Sequence, residues 1–232
     1  LVVLTAHVSV AQDKKGPLAD LPTKPGAHVE KIKALGDNEW LNLGAPAADP
    51  KMSREEVEKI NKRNAELQER FNASKVDLDA GNYDAAIETA RPVFVFREKP
   101  NPQAINIALD ALRRQKRYTE GAALLQPLAV SFAADPFVNA RYIEMLHRSG
   151  DKDKARAAAT TQAKFGTRSV VATAEAFIQV GDHATAISLV NDALKNRPDE
   201  LDLQFELGSA YERAGQHAAA ERVFLGILEN HP

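Results

Sequence analysis

The sequence holds no cysteine, one tryptophan and two methionines in 232 residues. Without cysteine there are no disulfides, no thiolate chemistry, no Cys-ligated zinc and no iron–sulfur cluster. Aromatic residues make up only 6% of the chain. No apolar run approaches the ~20 residues that a membrane-spanning helix needs. Neither sign of charge dominates: 30 Lys+Arg stand against 32 Asp+Glu, a formal net of -2. Nucleic-acid binders usually carry a basic excess, so none is expected as a partner. Glycine-rich phosphate loops, G-x-S-x-G elbows and H-E-x-x-H helices are also missing. What is present is 44% apolar and 27% charged residues, the balance of a folded chain. Alanine fills about one position in six, which favours helix over sheet.

Three segments differ in character. Residues 1–11 form an apolar run ending in the small-x-small triplet Ser9-Val10-Ala11, the way a secretory signal peptide ends. We read them as the remnant of such a leader, with cleavage after Ala11 and an extracytoplasmic (periplasmic or secreted) protein as the consequence. Residues 12–52 carry five of the twelve prolines and four of the twelve glycines. Apart from a short helical hint at 28–35, they read as a mostly extended linker. Trp40 lies in it and is expected to dock on a neighbouring helix rather than stay exposed. From residue 53 to 232 the pattern is helical. Ser53-Arg54-Glu55-Glu56 has the form of a capping box. Val57, Ile60, Leu67, Phe71 and Leu78 then share one helical stripe, interrupted at Asn64 and Ser74, and the helix should end near Ala80.

A helix–turn–helix unit recurs beyond this point. Its turns are Ala80-Gly81-Asn82-Tyr83, Gln115-Lys116-Arg117-Tyr118, Ser149-Gly150-Asp151-Lys152, Val180-Gly181-Asp182-His183 and Ala214-Gly215-Gln216-His217. Counted from Gly81 the spacings are 35, 34, 31 and 34 residues. A period near 34 marks a helical repeat array, with copies at about 67–100, 101–135, 136–166, 167–200 and 201–232. Small residues such as Ala86, Ala155, Ala174, Ala186, Gly208 and Ala220 belong where the two helices of a unit cross closely. Pro92 falls inside the second helix of the first copy and should kink or end it.

The last copy carries Leu207, Gly208, Tyr211, Ala220, Phe224 and Pro232 in order. It resembles the tetratricopeptide repeat, whose pattern is W-x2-L-G-x2-Y, then A-x3-F, then P. Gln204 departs from it in the tryptophan slot. The preceding copy matches with Ala174, Phe177, Ala186, Val190 and Pro198, and the earlier copies drift further. The resemblance implies an all-α, right-handed superhelical solenoid of about five repeats whose inner groove is lined by each unit's first helix. Stacking supplies the core, because no unit can bury its apolar face alone.

Carried onto this chain, that groove would present Asn106, Asp110, Arg113 and Arg114, then Phe137, Ala140, Glu144, His147 and Arg148. Further along come Arg168, Val171, Glu175 and Ile178, and finally Asp202, Phe205, Ser209, Glu212 and Arg213. Charges of both signs alternate with apolar positions, which suits an extended peptide or a partner helix. Some members of the family clamp a carboxylate with a Lys/Asn/Arg set spread over three repeats; here only Arg141 fits, so that specificity is set aside. The six histidines, His7, His28, His147, His183, His217 and His231, include no pair three or four residues apart. Glu55-Glu56 and Asp199-Glu200 suit helix N-termini. No catalytic residue, metal or cofactor is therefore expected, and the chain reads as a non-enzymatic protein-interaction scaffold. Two other readings stay open. One is a docking or regulatory region of a larger enzyme. The other is end-to-end self-association, since the last repeat stops at Pro232 without a polar capping helix.

Overall fold

The computed structural model describes residues 53–96 and 98–230. The leader-like run, the linker with Trp40, the helical hint at 28–35, His7, His28, His231 and Pro232 lie outside the described residues. The described chain is all-α in class: ten α-helices follow in tandem, with two two-residue strands between the second and third. The chain divides into two compact units, residues 1–98 and 99–232.

In the first unit, α1 (Arg54–Asp79) begins at the expected capping box. The Glu56 N–H donates to Ser53 Oγ at 3.3 Å, and the Ser53 N–H donates to Glu56 Oε2 at 2.8 Å. Two of the amides that a helix start leaves unpaired are thus satisfied. Leu67 and Phe71 are buried as the stripe requires, and Ser74 fills its gap by donating to the Phe71 carbonyl at 2.8 Å. Gly81, at φ +78°, turns the chain into α2 (Tyr83–Ala90), which packs on α1 through Ala85, Ala86, Ile87 and Ala90. Pro92 has no N–H with which to continue that helix, and α2 gives way to a 3-10 turn at Arg91–Val93. The strand β1 (Val95–Phe96) closes the described part of this unit. Its first helix is 26 residues long, twice the length of the first helices that follow.

The second unit opens with β2 (Lys99–Pro100) and is an array of four helical hairpins. These are α3 (Pro102–Arg114) with α4 (Tyr118–Ser131), α5 (Pro136–Arg148) with α6 (Lys152–Gln162), α7 (Thr167–Gln179) with α8 (His183–Asn196), and α9 (Leu201–Arg213) with α10 (His217–Asn230). Each hairpin turns on one left-handed residue. Gly150, Gly181 and Gly215 take that conformation in three of them, but Lys116 takes it at φ +58° in the first. Asn101, Asp135 and Asp182 cap the helices that follow them through side-chain oxygens.

Consecutive hairpins stack through their first helices: α5 packs on α7, and α7 on α9. Close approach explains two glycines. A Cβ at Gly208 would lie 2.5 Å from the Phe224 ring, and one at Gly121 would lie 2.8 Å from Met145 Sδ. Ala155, Ala174, Ala186 and Ala220 are buried in the corresponding small positions. The link from α4 to α5 is closed by further side chains besides the Asp135 cap. Asn139 Nδ2 donates to the carbonyls of Phe132, Ala133 and Asp135, and Gln162 Nε2 donates to that of Ala133 at 2.9 Å. The Phe132 and Asp135 carbonyls also accept backbone N–H groups, whereas that of Ala133 is satisfied by the two side chains.

Candidate functional site

Within the second unit, α3, α5, α7 and α9 are the first helices of their hairpins, and their side chains line three open recesses. The first, about 460 Å³, is lined by Asn106, Asp110, Arg113, Arg141, Glu144, Arg148 and Gln179. Its centre is Glu144, 1% exposed and surrounded by guanidinium groups. Arg113 grips it with both prongs, Nε to Oε1 at 3.1 Å and Nη2 to Oε2 at 2.7 Å. Arg141 Nη1 donates to Oε2 at 3.0 Å and Arg148 Nε to Oε1 at 2.9 Å. Burial alone would raise the Glu144 carboxyl, but the bonds and charge of Arg113, with the bonds from Arg148 and Arg141, hold it below the usual carboxylate range. Asp110 accepts from Arg113 Nη1 at 2.7 Å, while Gln179 receives Arg141 on its side chain and Arg148 on its backbone carbonyl.

Three guanidiniums thus face two carboxylates, and the recess keeps a surplus positive charge. Arg141 Nε is buried without a hydrogen-bond partner. A carboxylate or phosphate entering here would meet planar, forked donors already held in place.

Gln179 also borders a second recess of about 260 Å³, with Glu175, Ile178, Phe205, Glu206, Ser209 and Arg213. A third, of about 550 Å³, shares Glu175, Phe205 and Glu206 and adds Arg168, Val171, Leu201, Asp202 and Ile227. Phe205 is 60% exposed, with its ring 5.7 Å from that of Phe224. Glu206 is the opposite: only 7% exposed, with Oε1 buried and unpartnered. Burial first, then the charge of Glu175, pushes its carboxyl up to about 7, with Arg213 opposing.

The first recess brings together the expected residues Asn106, Asp110, Arg113, Glu144 and Arg148. The other two gather Arg168, Val171, Glu175, Ile178, Asp202, Phe205, Ser209 and Arg213. Arg114, Phe137, Ala140, His147 and Glu212 line none of the three, Ala140 being buried. His147 instead turns its Nε2 to Asp182 Oδ2 at 3.2 Å, in the turn of the next hairpin, and sets its ring edge against Phe177. Glu144 lies on the wall, but its oxygens are occupied by the three arginines and 1% exposure leaves little of it to touch.

Sequence reasoning missed Gln179, Glu206, Leu201 and Ile227, and it set Arg141 aside. A repeat-register signal was available for two of these. Arg141 and Glu206 both stand nine residues before the left-handed turn residue of their hairpins, and Asp110, Glu144 and Glu175 all stand six before theirs. One register position therefore carries a carboxylate in three consecutive repeats, while another reverses sign along the wall.

An all-α array of stacked hairpins with an exposed, charged wall is the architecture of a helical-repeat protein. The tetratricopeptide repeat family model matches residues 171–232, which hold most of α7 and all of α8, α9 and α10. Over this stretch the chain is similar to the tetratricopeptide repeat family, whose character is that of a protein-interaction scaffold. No curated protein matches the chain. Among the described residues, no helix is long and apolar enough to cross a membrane.

Proposed function

We propose that the second unit binds an extended peptide or partner helix along the wall formed by α3, α5, α7 and α9, and that an acidic group of the partner enters the arginine recess. The observation that carries this reading is the surplus of guanidinium over carboxylate around Glu144 in an open recess. Arg113 is committed to Glu144 and Asp110, so Arg141 and Arg148 are the side chains with donors to spare. The scaffold acts by binding, without a reaction of its own. The leader-like residues 1–11 support placing it outside the cytoplasm, which the N-terminal mass of the protein recovered from its native host would test.

Fluorescence anisotropy with acidic nonapeptides selected against the protein tests the wall. Exchanging both arginines for lysine (R141K/R148K) keeps the charge that Glu144 needs but removes the fork. Affinity should fall about ten-fold, the worth of one charge-assisted hydrogen bond, with the melting temperature little changed. Unaltered affinity would contradict the assignment.

A second reading is favoured by the outer side of α10, where Leu225 and Leu228 are 50% and 66% exposed. Apolar side chains presented this way suit contact with a second copy. Sedimentation at rising concentration would show dimers that Leu225→Glu dissolves; a monomer throughout would end this reading.

A further inference from the structure

Two of the three carboxylates at the wall's other end, Glu175 and Glu206, stand side by side and unpaired; the third is Asp202. Among the described residues, Glu175, Glu206 and Arg213 make no ion pair with one another or with any neighbour. Burying a carboxylate without a partner is costly, and a second carboxylate beside it adds repulsion. Glu175 and Glu206 line both neighbouring recesses, so the pair sits where the two join, with Phe205 beside it. Apolar walls continue outward through Ile178 on one side and Val171 and Ile227 on the other.

Resting on the reading of this wall as a peptide groove, we propose that the Glu175–Glu206 recess receives a lysine or arginine side chain of the bound segment. Its cationic head would meet the Glu206 carboxylate and Glu175, while its methylene stem lies along Phe205 and Ile178. Long basic side chains are built for such a site, apolar along the stem and charged at the tip. A hard divalent cation suits it less, since it seeks six or more oxygen ligands and gains nothing from a phenyl wall. The arginine recess adjoins through Gln179, so the groove is dipolar and reads a partner carrying an acidic residue followed or preceded by a basic one. Charge order of this kind fixes the direction and register in which a segment lies.

The test uses the full chain and random nonapeptides displayed on phage, with the retained peptides resynthesised. Retained sequences should hold lysine or arginine at one fixed position. Replacing that residue by norleucine, which keeps the stem and removes the charge, should weaken binding to the wild type about ten-fold. On the E175Q/E206Q protein the same replacement should change nothing. Peptides that bind without a fixed basic residue, or that lose equally on both proteins, overturn the inference and leave the arginine recess standing. Retention of no peptide at all overturns both. The norleucine arm on the wild type needs no variant, so the outcome does not depend on how the glutamine substitutions fold.

Discussion

Glu144 and Glu206 lie on the same wall, both buried, and the molecule treats them in opposite ways. Glu144 is enclosed by three arginines that draw its carboxyl below the ordinary range. Glu206 has an oxygen with no partner and a carboxyl pushed up to about 7. A matched buried charge holds its neighbours in place; here it fixes the guanidiniums that face the groove. An unmatched one destabilises the fold on its own and gains from whatever brings a partner. Burial therefore separates a positioning residue from a binding residue only once its partners are counted.

Neutralising each carboxylate should move stability in opposite directions. Glu144→Gln leaves three crowded guanidiniums against a neutral amide and should lower the unfolding free energy by about 3 kcal/mol, read by urea denaturation at pH 7.5. Glu206→Gln removes an unpaired buried charge and should raise stability by about 3 kcal/mol at pH 8, from the shift of a carboxyl to about 7. Equal effects of the same sign would break the comparison.

The pH dependence carries the same signature. A raised folded-state carboxyl such as Glu206 favours the protonated form. Its contribution is thus fully present below about 4.5 and is lost as pH climbs through about 7. Glu144 is depressed, so its contribution is present above about 4.5 and lost as pH falls through its lower folded value. Denaturation midpoints of the wild type between pH 5 and 8 should decline relative to Glu206→Gln, whose curve lacks that slope. Parallel curves would place Glu206 in water.

Two smaller effects separate backbone requirements from these charge effects. Gly208 follows Glu206 by two residues on α9, and Gly208→Ala sets a Cβ against the Phe224 ring. A loss of about 1–2 kcal/mol is expected from that overpacking. At the far end of the wall, Lys116 holds a left-handed conformation that glycine holds in the other hairpins. Lys116→Gly should therefore stabilise by about 1 kcal/mol, and a lowered melting temperature would show that the lysine side chain is needed at that turn.

Features set by the local backbone were legible in the sequence. The capping box at Ser53, the break at Pro92 and the turns at Gly150, Gly181 and Gly215 follow from sterics within a few residues. The repeat register followed from their spacing. Features set by reach and by neighbours were not. His147 and Arg113 occupy the same register position, three residues before the turn residue. The long guanidinium reaches Glu144, while the shorter imidazole is held by Asp182 of the next hairpin. Nothing local in the sequence distinguishes Glu206 from an exposed helix glutamate. Its burial comes from the packing around α9, and its lack of a partner from what α7 presents. Arg141 matches a single member of the carboxylate-binding set in sequence, and its place in the recess is set by Glu144 and Gln179.

The most direct test of the wall as the binding face is to map a selected nonapeptide onto the protein by backbone and side-chain NMR shifts. Perturbations should centre on Arg141, Arg148, Gln179, Phe205 and Glu206, running from α5 across α7 to α9. Shifts confined to the second helices α4, α6 and α8, or to Leu225 and Leu228 on α10, would contradict it.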